Sequence, residues 1–354
     1  MKLPAVKKRK IAVIFTGGLG DTLLYVPLLK ELKKKQFHIT AIFYGEYEND
    51  CLFDKNLADR KVYINTKARL LLFAIQNTRT FINFFINHLA KGKGIRIAAG
   101  ICSTHITQTG DSNNNPHGRK RIVPVEALFS YAEQNLNLLY TAVNARIKNI
   151  SSFYFEHAEL NRYSINHILL TVKPAYFVVQ VSSGNNKTPF KNWPLTYWNN
   201  IIKRLCDSYP DISFLLVGDK SETQHTPAFK DLEFPNCKIL IGQTSVSEIF
   251  NLVAFSKGYI GLDSGIMHMA AALQKKTLSI FGASNEKLLA YSGLDCSNHA
   301  IVTSPLSCRP CSSWKNANTS RVTDPLKCPD FACLANIKEE EVYQKIVEHF
   351  GLNS

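Results

Sequence analysis

The chain contains no apolar run long enough to cross a bilayer as a helix. Its most lipophilic stretch, residues 70–90 (LLLFAIQNTRTFINFFINHLA), is broken by Gln76, Asn77, Arg79, Asn83 and Asn87, whereas a span needs ~20 mostly apolar residues. No export signal is evident either. The basic cluster Lys7-Lys8-Arg9-Lys10 precedes only IAVIF, too short for the apolar core of a signal peptide. Without export, the nine cysteines are expected as reduced thiols in the cytoplasm. The absence of any repeat of solenoid period or long low-complexity tract sets aside stacked-repeat and disordered architectures.

Acidic residues are scarce. Asp and Glu number 28 against 42 Lys and Arg, a net charge of +14. Residues 1–160 carry 23 basic and 12 acidic side chains, residues 161–354 carry 19 and 16. Clusters at 7–10, 33–35 and 119–121 supply much of the excess. The first half is therefore expected to face something anionic, be it an acidic glycan, a membrane surface or nucleic acid, unless the charge serves solubility alone.

At 354 residues, 45% hydrophobic and 20% charged, the chain has the size and composition of two soluble globular domains. Short β-branched or aromatic runs alternate with helical patterns. KIAVIF, HITAIFY, IRIAAG, AYFVVQVS, ISFLLVG, KILIG, GYIGL and TLSIFG read as strands without polar alternation, as buried parallel strands do. DTLLYVPLLKELKKK reads as one helix. The β-α-β-α order predicts a doubly wound α/β fold. The domain break is expected within 161–175, where Lys173-Pro174 precedes a fresh strand. That gives domains at 1–165 and 172–335. Residues 108–121 read as a basic loop, and 338–350 as an amphipathic helix with an acidic first turn.

Three stretches carry candidate chemistry. In YIGLDSGIMHMAAAL, a strand ending at Leu262 places Asp263 and Ser264 at the carboxyl edge of a sheet, where open α/β sheets bind ligands. Ser264-Gly265 then open a helix whose free amides attract anions, phosphates above all. His268 lies one turn on, on the face of Ser264, and offers a hydrogen bond or a positive charge. An ordinary N-cap with a satisfied histidine fits the same residues. In VSSGNNKTPFKNWP, a strand ends at Ser182-Ser183, and Lys191 follows in a loop before a helix. Hydroxyls and a lysine there suit a diphosphate, or the loop is simply solvated. In IFTGGLGDTLLYVP, Gly17, Gly18 and Gly20 mark a tight strand-to-helix crossing, and Asp21 is either a helix cap or a general base. Leu23 stands where a dinucleotide fingerprint would have its third glycine, so this turn matches a nicotinamide enzyme poorly.

In their order and spacing the three stretches resemble glycosyltransferase family 9, the bacterial heptosyltransferases of lipopolysaccharide core assembly. The features are GLGD after the first strand, two hydroxyls then KNWP in the second half, and DSGIMHMAAAL before LSIFG, spanning 11–347. The resemblance implies the GT-B class, two Rossmann-like doubly wound domains facing a central cleft, with the acceptor on the first and the sugar nucleotide on the second. It implies an inverting transfer without a catalytic metal, with heptose from ADP-heptose as the leading donor. Asp21 matches the family's catalytic aspartate, with Gly18 and Gly20 in the acceptor-side loop. Ser182, Ser183 and Lys191 match its diphosphate and sugar contacts, and Asp263, Ser264, Gly265 and His268 its donor motif. Glu222 stands where a ribose-binding acid is expected, and Thr244 near the base pocket.

The expected partners are a nucleotide-diphosphate sugar, an anionic glycolipid acceptor and the inner face of the inner membrane, with no nucleic acid. Cys308-x-x-Cys311 followed by Cys328 and Cys333 has the composition of a tetrahedral finger. Structural Zn or Fe and four free thiols are the two readings of this segment, 308–333. Two other classes stay open at this level: a nicotinamide-dependent oxidoreductase, and a basic glycan- or nucleic-acid-binding protein without catalysis.

Overall fold

A computed structural model describes residues 10–15, 18–23, 25–45, 48–77, 83–86, 104–108, 120–123, 162–183, 188–291, 296–311 and 325–352. The chain divides into two compact units, Met1–Phe153 and Tyr154–Ser354. No helix among the described residues is long and apolar enough to cross a membrane.

The first unit contains β1 (Lys10–Phe15), α1 (Leu19–Leu23), α2 (Val26–Lys34), β2 (His38–Tyr44), β3 (Arg60–Ile64), α3 (Lys67–Gln76), β4 (Asn83–Ile86), β5 (Thr104–Gln108) and β6 (Lys120–Val123). The strands form one sheet in the order β3-β2-β1-β4-β5-β6, parallel throughout. Ala12 and Ile14 of β1 pack with Ile42, Ile64, Leu70 and Ala74 in one core cluster. Phe15 meets the rings of Tyr25, Phe43 and Phe53 at centroid distances of 5.6, 5.3 and 5.0 Å.

Two expectations are corrected here. The helix expected from Asp21 onward is two helices, because Pro27 at the start of α2 has no N–H with which to continue α1. Within the lipophilic stretch 70–90, α3 ends at Gln76, where Asn77 donates its side-chain amide to Phe73 O, and Asn83–Ile86 form β4. Of residues 108–121, read as a loop, Gln108 closes β5 and Lys120 and Arg121 open β6, and 109–119 lie outside the described residues. IRIAAG lies outside the described residues.

The second unit contains α4 (Asn166–Leu169), β7 (Ala175–Gln180), α5 (Leu195–Ser208), β8 (Ile212–Val217), β9 (Cys237–Ile239), α6 (Val246–Phe255), β10 (Gly258–Leu262), α7 (Gly265–Ala272), β11 (Thr277–Phe281), α8 (Glu286–Leu289), β12 (His299–Thr303), α9 (Ala332–Ala335) and α10 (Glu339–Phe350). Its sheet runs β12-β11-β10-β7-β8-β9, again parallel throughout. Counted from its own first strand this is the order 3-2-1-4-5-6 of the first sheet, the doubly wound arrangement of Rossmann folds. Every residue of β10 and β11 is buried, which is why neither strand alternates in polarity.

The unit begins upstream of the 161–175 segment because the turn at Arg162–Ile165 packs on α6, and Asn251 donates to Ser164 Oγ at 3.3 Å. It ends with α10. Glu339, Glu340 and Glu341 occupy the first turn of that helix, where the helix dipole favours negative charge. Gly351 ends it at φ +65°, a left-handed conformation that suits glycine. Val342, Tyr343 and Ile346 join Phe177, Trp198 and Phe214 in the second core. Ile346→Ala is therefore expected to lower the stability of the protein by about 2–5 kcal/mol, read as a lower urea midpoint. An unchanged midpoint would show that α10 is not part of this core.

Candidate active site

β7 and β10 are neighbours at the centre of the second sheet, and the strand order reverses between them. The chain leaving their carboxyl ends brings together Ser182 and Ser183 after β7 with Asp263 and Ser264 after β10. All four are buried.

Lys191 ends a single helical turn, Pro189–Lys191, downstream of β7. Its Nζ lies 2.7 Å from Asp263 Oδ2 and donates to Asp263 O at 3.3 Å. Burial by itself pushes the Asp263 carboxyl up. The Lys191 charge and hydrogen bond, with smaller contributions from Ser284 and His268, more than offset that and hold it below the usual range. The loop carrying Lys191 is folded back onto β7 by Asn192, whose Oδ1 accepts from Ser183 N at 2.8 Å. Ser183 Oγ and Thr188 Oγ1 are 3.4 Å apart. An ammonium group is thus fixed at the sheet edge, partly open to solvent.

Ser264 is the N-cap of α7, accepting from Met267 N at 3.4 Å. Its hydroxyl donates to Gln180 Oε1 and stands 3.1 Å from Tyr259 OH, which also donates to Gln180 Oε1 at 3.1 Å. Ser264 thus caps and anchors the helix, so it is the helix amides beyond it, from Gly265, that are presented at the sheet edge. His268 hydrogen-bonds through Nδ1 to Tyr291 OH. Burial pushes its pKa down to about 4, against the pull of Asp263. Burial thus favours the neutral imidazole at pH 7, which offers a hydrogen bond rather than a charge.

Glu222 sits in the turn after β8 and is 3% exposed. Ser182 Oγ donates to its Oε2 at 2.6 Å. Gly218 makes room for this contact: a Cβ there would lie 2.6 Å from Glu222 Oε2. Burial raises the carboxyl to about 7, with the Ser182 hydrogen bond opposing and the Asp219 charge adding. Thr244, after β9, has a buried Oγ1 with no hydrogen-bond partner among the described residues.

In the first unit, Gly18 O accepts from Thr22 N at 3.1 Å and from Thr22 Oγ1 at 3.0 Å. Among the described residues, nothing lies within 4 Å of where a Cβ on Gly18 would stand. Gly20 and Asp21 are the second and third residues of α1. This turn follows β1 at the reversal point of its own sheet, between β1 and β4. The Asp21 side chain and Gly17 lie outside the described residues.

Of the tail cysteines, Cys311 and Cys333 are buried and Cys308 and Cys328 half-buried, all with free thiols. Burial, then Cys328 and Cys308, raise the Cys311 thiol. Burial, then Cys311, push Cys333 up to about 11. The four share one electrostatic neighbourhood. No three His, Cys, Asp or Glu side chains among the described residues converge as a metal-ligating group.

Gln180, Tyr259, Ser284 and Tyr291 belong to this site and were not anticipated. Gln180 is the one polar residue of β7 and was a detectable signal; the others are meaningful only through partners distant in sequence.

Residues 121–320, more than half of the chain, match glycosyltransferase family 9 (heptosyltransferase). The chain belongs to glycosyltransferase family 9. The transferase is 23% identical over 342 residues to lipooligosaccharide heptosyltransferase 2 of Campylobacter jejuni, covering 95% of this chain and 97% of the relative. It is 25% identical to lipopolysaccharide heptosyltransferase 1 of Campylobacter coli, with 97% and 99% covered. Its fold is similar to that of a glycosyl transferase family 9 structure from Veillonella parvula, with TM-score 0.75, 15% identity and 98% of each chain covered. It is also similar to ADP-heptose lps heptosyltransferase II of E. coli, with TM-score 0.70, 16% identity, and 97% and 99% covered. A further fold relative is the iron-containing dodecameric glycosyltransferase TibC of enterotoxigenic E. coli, with TM-score 0.60, 15% identity, and 98% and 77% covered. The GT-B class and the transferase activity follow, and the oxidoreductase and non-catalytic readings give way to them.

The Glu222 pKa has a consequence for stability. A carboxyl raised from 4.5 to about 7 on folding contributes stability that is complete below the unfolded value and lost as pH rises through the folded one. This group is expected to remove on the order of 3 kcal/mol between about pH 5 and pH 8, a loss absent in Glu222→Gln. Urea unfolding of both proteins at the two pH values tests this. Parallel behaviour of the two would overturn it.

Proposed function

We propose that the protein is an inverting heptosyltransferase that moves heptose from ADP-heptose onto the core of a lipopolysaccharide or lipooligosaccharide. The observation that carries this reading is the Lys191–Asp263 pair at the reversal point of the second sheet, beside the N-terminus of α7. It is a cation and a set of amides held where a departing diphosphate would need them. The names of the Campylobacter relatives support the sugar and the acceptor class. So does a fold relative solved with ADP-2-deoxy-2-fluoro heptose, E. coli WaaC, with TM-score 0.65.

The steps assigned to the residues are these. Asp21 takes the proton of an acceptor hydroxyl, whose oxygen attacks the anomeric carbon. The bond from that carbon to the diphosphate oxygen breaks, and a single displacement inverts the centre. Negative charge growing on the diphosphate is met by Lys191 and by the amides at Gly265 and Ile266. Asp263 does not touch the diphosphate; it keeps Lys191 aimed. Glu222 and Ser182 serve the ribose hydroxyls, and the buried, unpartnered Thr244 hydroxyl the base. Neutral His268 supplies a hydrogen bond at the sugar-phosphate end. With Lys191 and the helix supplying the countercharge, the transfer needs no catalytic metal. The basic first unit, Met1–Phe153, suits an anionic glycolipid at the inner face of a membrane.

Asp21→Asn is expected to lower kcat by about 10²–10⁴-fold while ADP-heptose still raises Tm as in the wild type. ADP-, GDP-, UDP- and CMP-sugars compared by thermal shift should single out the ADP-sugar, since only a ligand in large excess over its Kd stabilises by a few kcal/mol. An Asp21→Asn enzyme of undiminished rate would end the assignment of the base.

The tail cysteines are read as a structural metal site that takes no part in transfer. Thiols raised by burial and by one another become thiolates most readily around a cation, and the fold relative TibC is iron-containing. Elemental analysis of the purified protein is expected to find one Fe or Zn per chain, lost in Cys308→Ser/Cys311→Ser. Folded, active and metal-free wild-type protein would overturn this part.

A further inference from the structure

The tail that follows β12 grips three successive carbonyls. The Arg309 side chain, 7% exposed, donates from Nε to Gly282 O at 2.7 Å. Its guanidinium also reaches Ser284 O at 3.4 Å and Glu286 Oε2 at 3.0 Å. Two residues on, Cys311 N donates to Ala283 O at 3.0 Å. Residues 282–284, the turn leaving β11, are thereby fastened from one side at every carbonyl.

From the other side the same turn rests on the loop that carries Lys191. Ala283 N donates to Phe190 O at 3.4 Å, and Phe190, Ala283 and Cys311 form a small apolar cluster with Phe331 packed against it. A Cβ on Gly282 would lie 2.8 Å from Phe190 O and 2.7 Å from Leu334 Cγ, so no slack separates tail, turn and loop. Lys191 follows Phe190 directly, so the loop that sets the ammonium group against Asp263 rests on the turn, and the turn is fastened by the tail.

We infer that Arg309 is a positioning residue for the transferase. It binds no substrate, but it sets the turn 282–284 and, through Phe190, the Lys191–Asp263 pair. A guanidinium suits the task because its planar fork reaches two carbonyls and a carboxylate at once, which an ammonium group cannot do. The inference also gives the cysteine-rich tail a purpose, since Arg309 lies between Cys308 and Cys311. It rests on the reading of Lys191 and Asp263 as the diphosphate site.

Calorimetric titration of the full-length protein with ADP tests both and separates them. Arg309→Gln is expected to raise the Kd for ADP by about ten- to a hundredfold, the scale of misplaced binding groups, and Arg309→Lys to recover part of the loss. Glu286→Gln removes only the ionic partner and is expected to weaken ADP binding less, in the same direction. It serves if Arg309→Gln does not fold. Ile346→Val loosens the core away from the site and should leave the Kd unchanged. A second readout is the acid limb of ADP binding. The groups around Asp263 are Lys191 and His268 with its partner Tyr291; with Lys191 held less closely, the limb should move to higher pH in Arg309→Gln. Wild-type protein that does not bind ADP would overturn the donor-site reading itself. Wild-type binding matched by Arg309→Gln and Glu286→Gln, or weakened equally by Ile346→Val, would overturn the role of Arg309 alone.

Discussion

A lysine brought against a buried aspartate, at the point where the second sheet reverses its strand order, is the constraint on which the site depends. Lys191 arrives on a loop from β7 and Asp263 on the turn from β10, and they meet at 2.7 Å. Removing one partner of such a pair leaves a buried charge uncompensated and costs about 3–5 kcal/mol. The surrounding contacts hold the pair together: Asn192 folds the lysine loop onto the strand end, and the tail fastens the turn that the loop rests on.

Two kinds of polar group surround that pair, and burial separates them. Ser264, Gln180 and Tyr259 satisfy one another inside the unit and fix where α7 begins. Glu222 and the Thr244 hydroxyl are buried with hydrogen-bonding capacity in hand: a carboxyl raised to about 7 and a hydroxyl without a partner among the described residues. Leaving such groups under-satisfied is costly in a folded protein. Here the cost is offset if a ribose and a base complete them.

Much of the architecture was legible in the chain because parallel strands buried on both faces leave uninterrupted apolar runs. KIAVIF, HITAIFY, GYIGL and TLSIFG are strands with little or no shift of boundary. The failures also have local causes. Pro27 divided a helix whose apolar periodicity runs straight through it, and β4 emerged from a lipophilic stretch whose composition suits helix and strand alike. RKVYI, which forms β3 at the sheet edge, carries two charges and a half-exposed face, so its pattern was too weak to detect. In the site, Asp263, Ser264, Gly265 and Lys191 could be named from glycine, hydroxyl and charge placed at strand ends.

By itself the sequence determined that the chain is doubly wound, where its sheets open, and which side chains stand at those edges. Strand periodicity and turn chemistry are local properties, and they survive without knowledge of what packs on what. Only the tertiary structure decided what those side chains do there. It made His268 neutral, tied the Ser264 hydroxyl to Gln180 and Tyr259, gave Glu222 its raised pKa, and set Arg309 behind the turn from β11. Protonation, hydrogen-bond satisfaction and leverage depend on desolvation and on partners 23 to 84 residues away, and no local pattern encodes those distances.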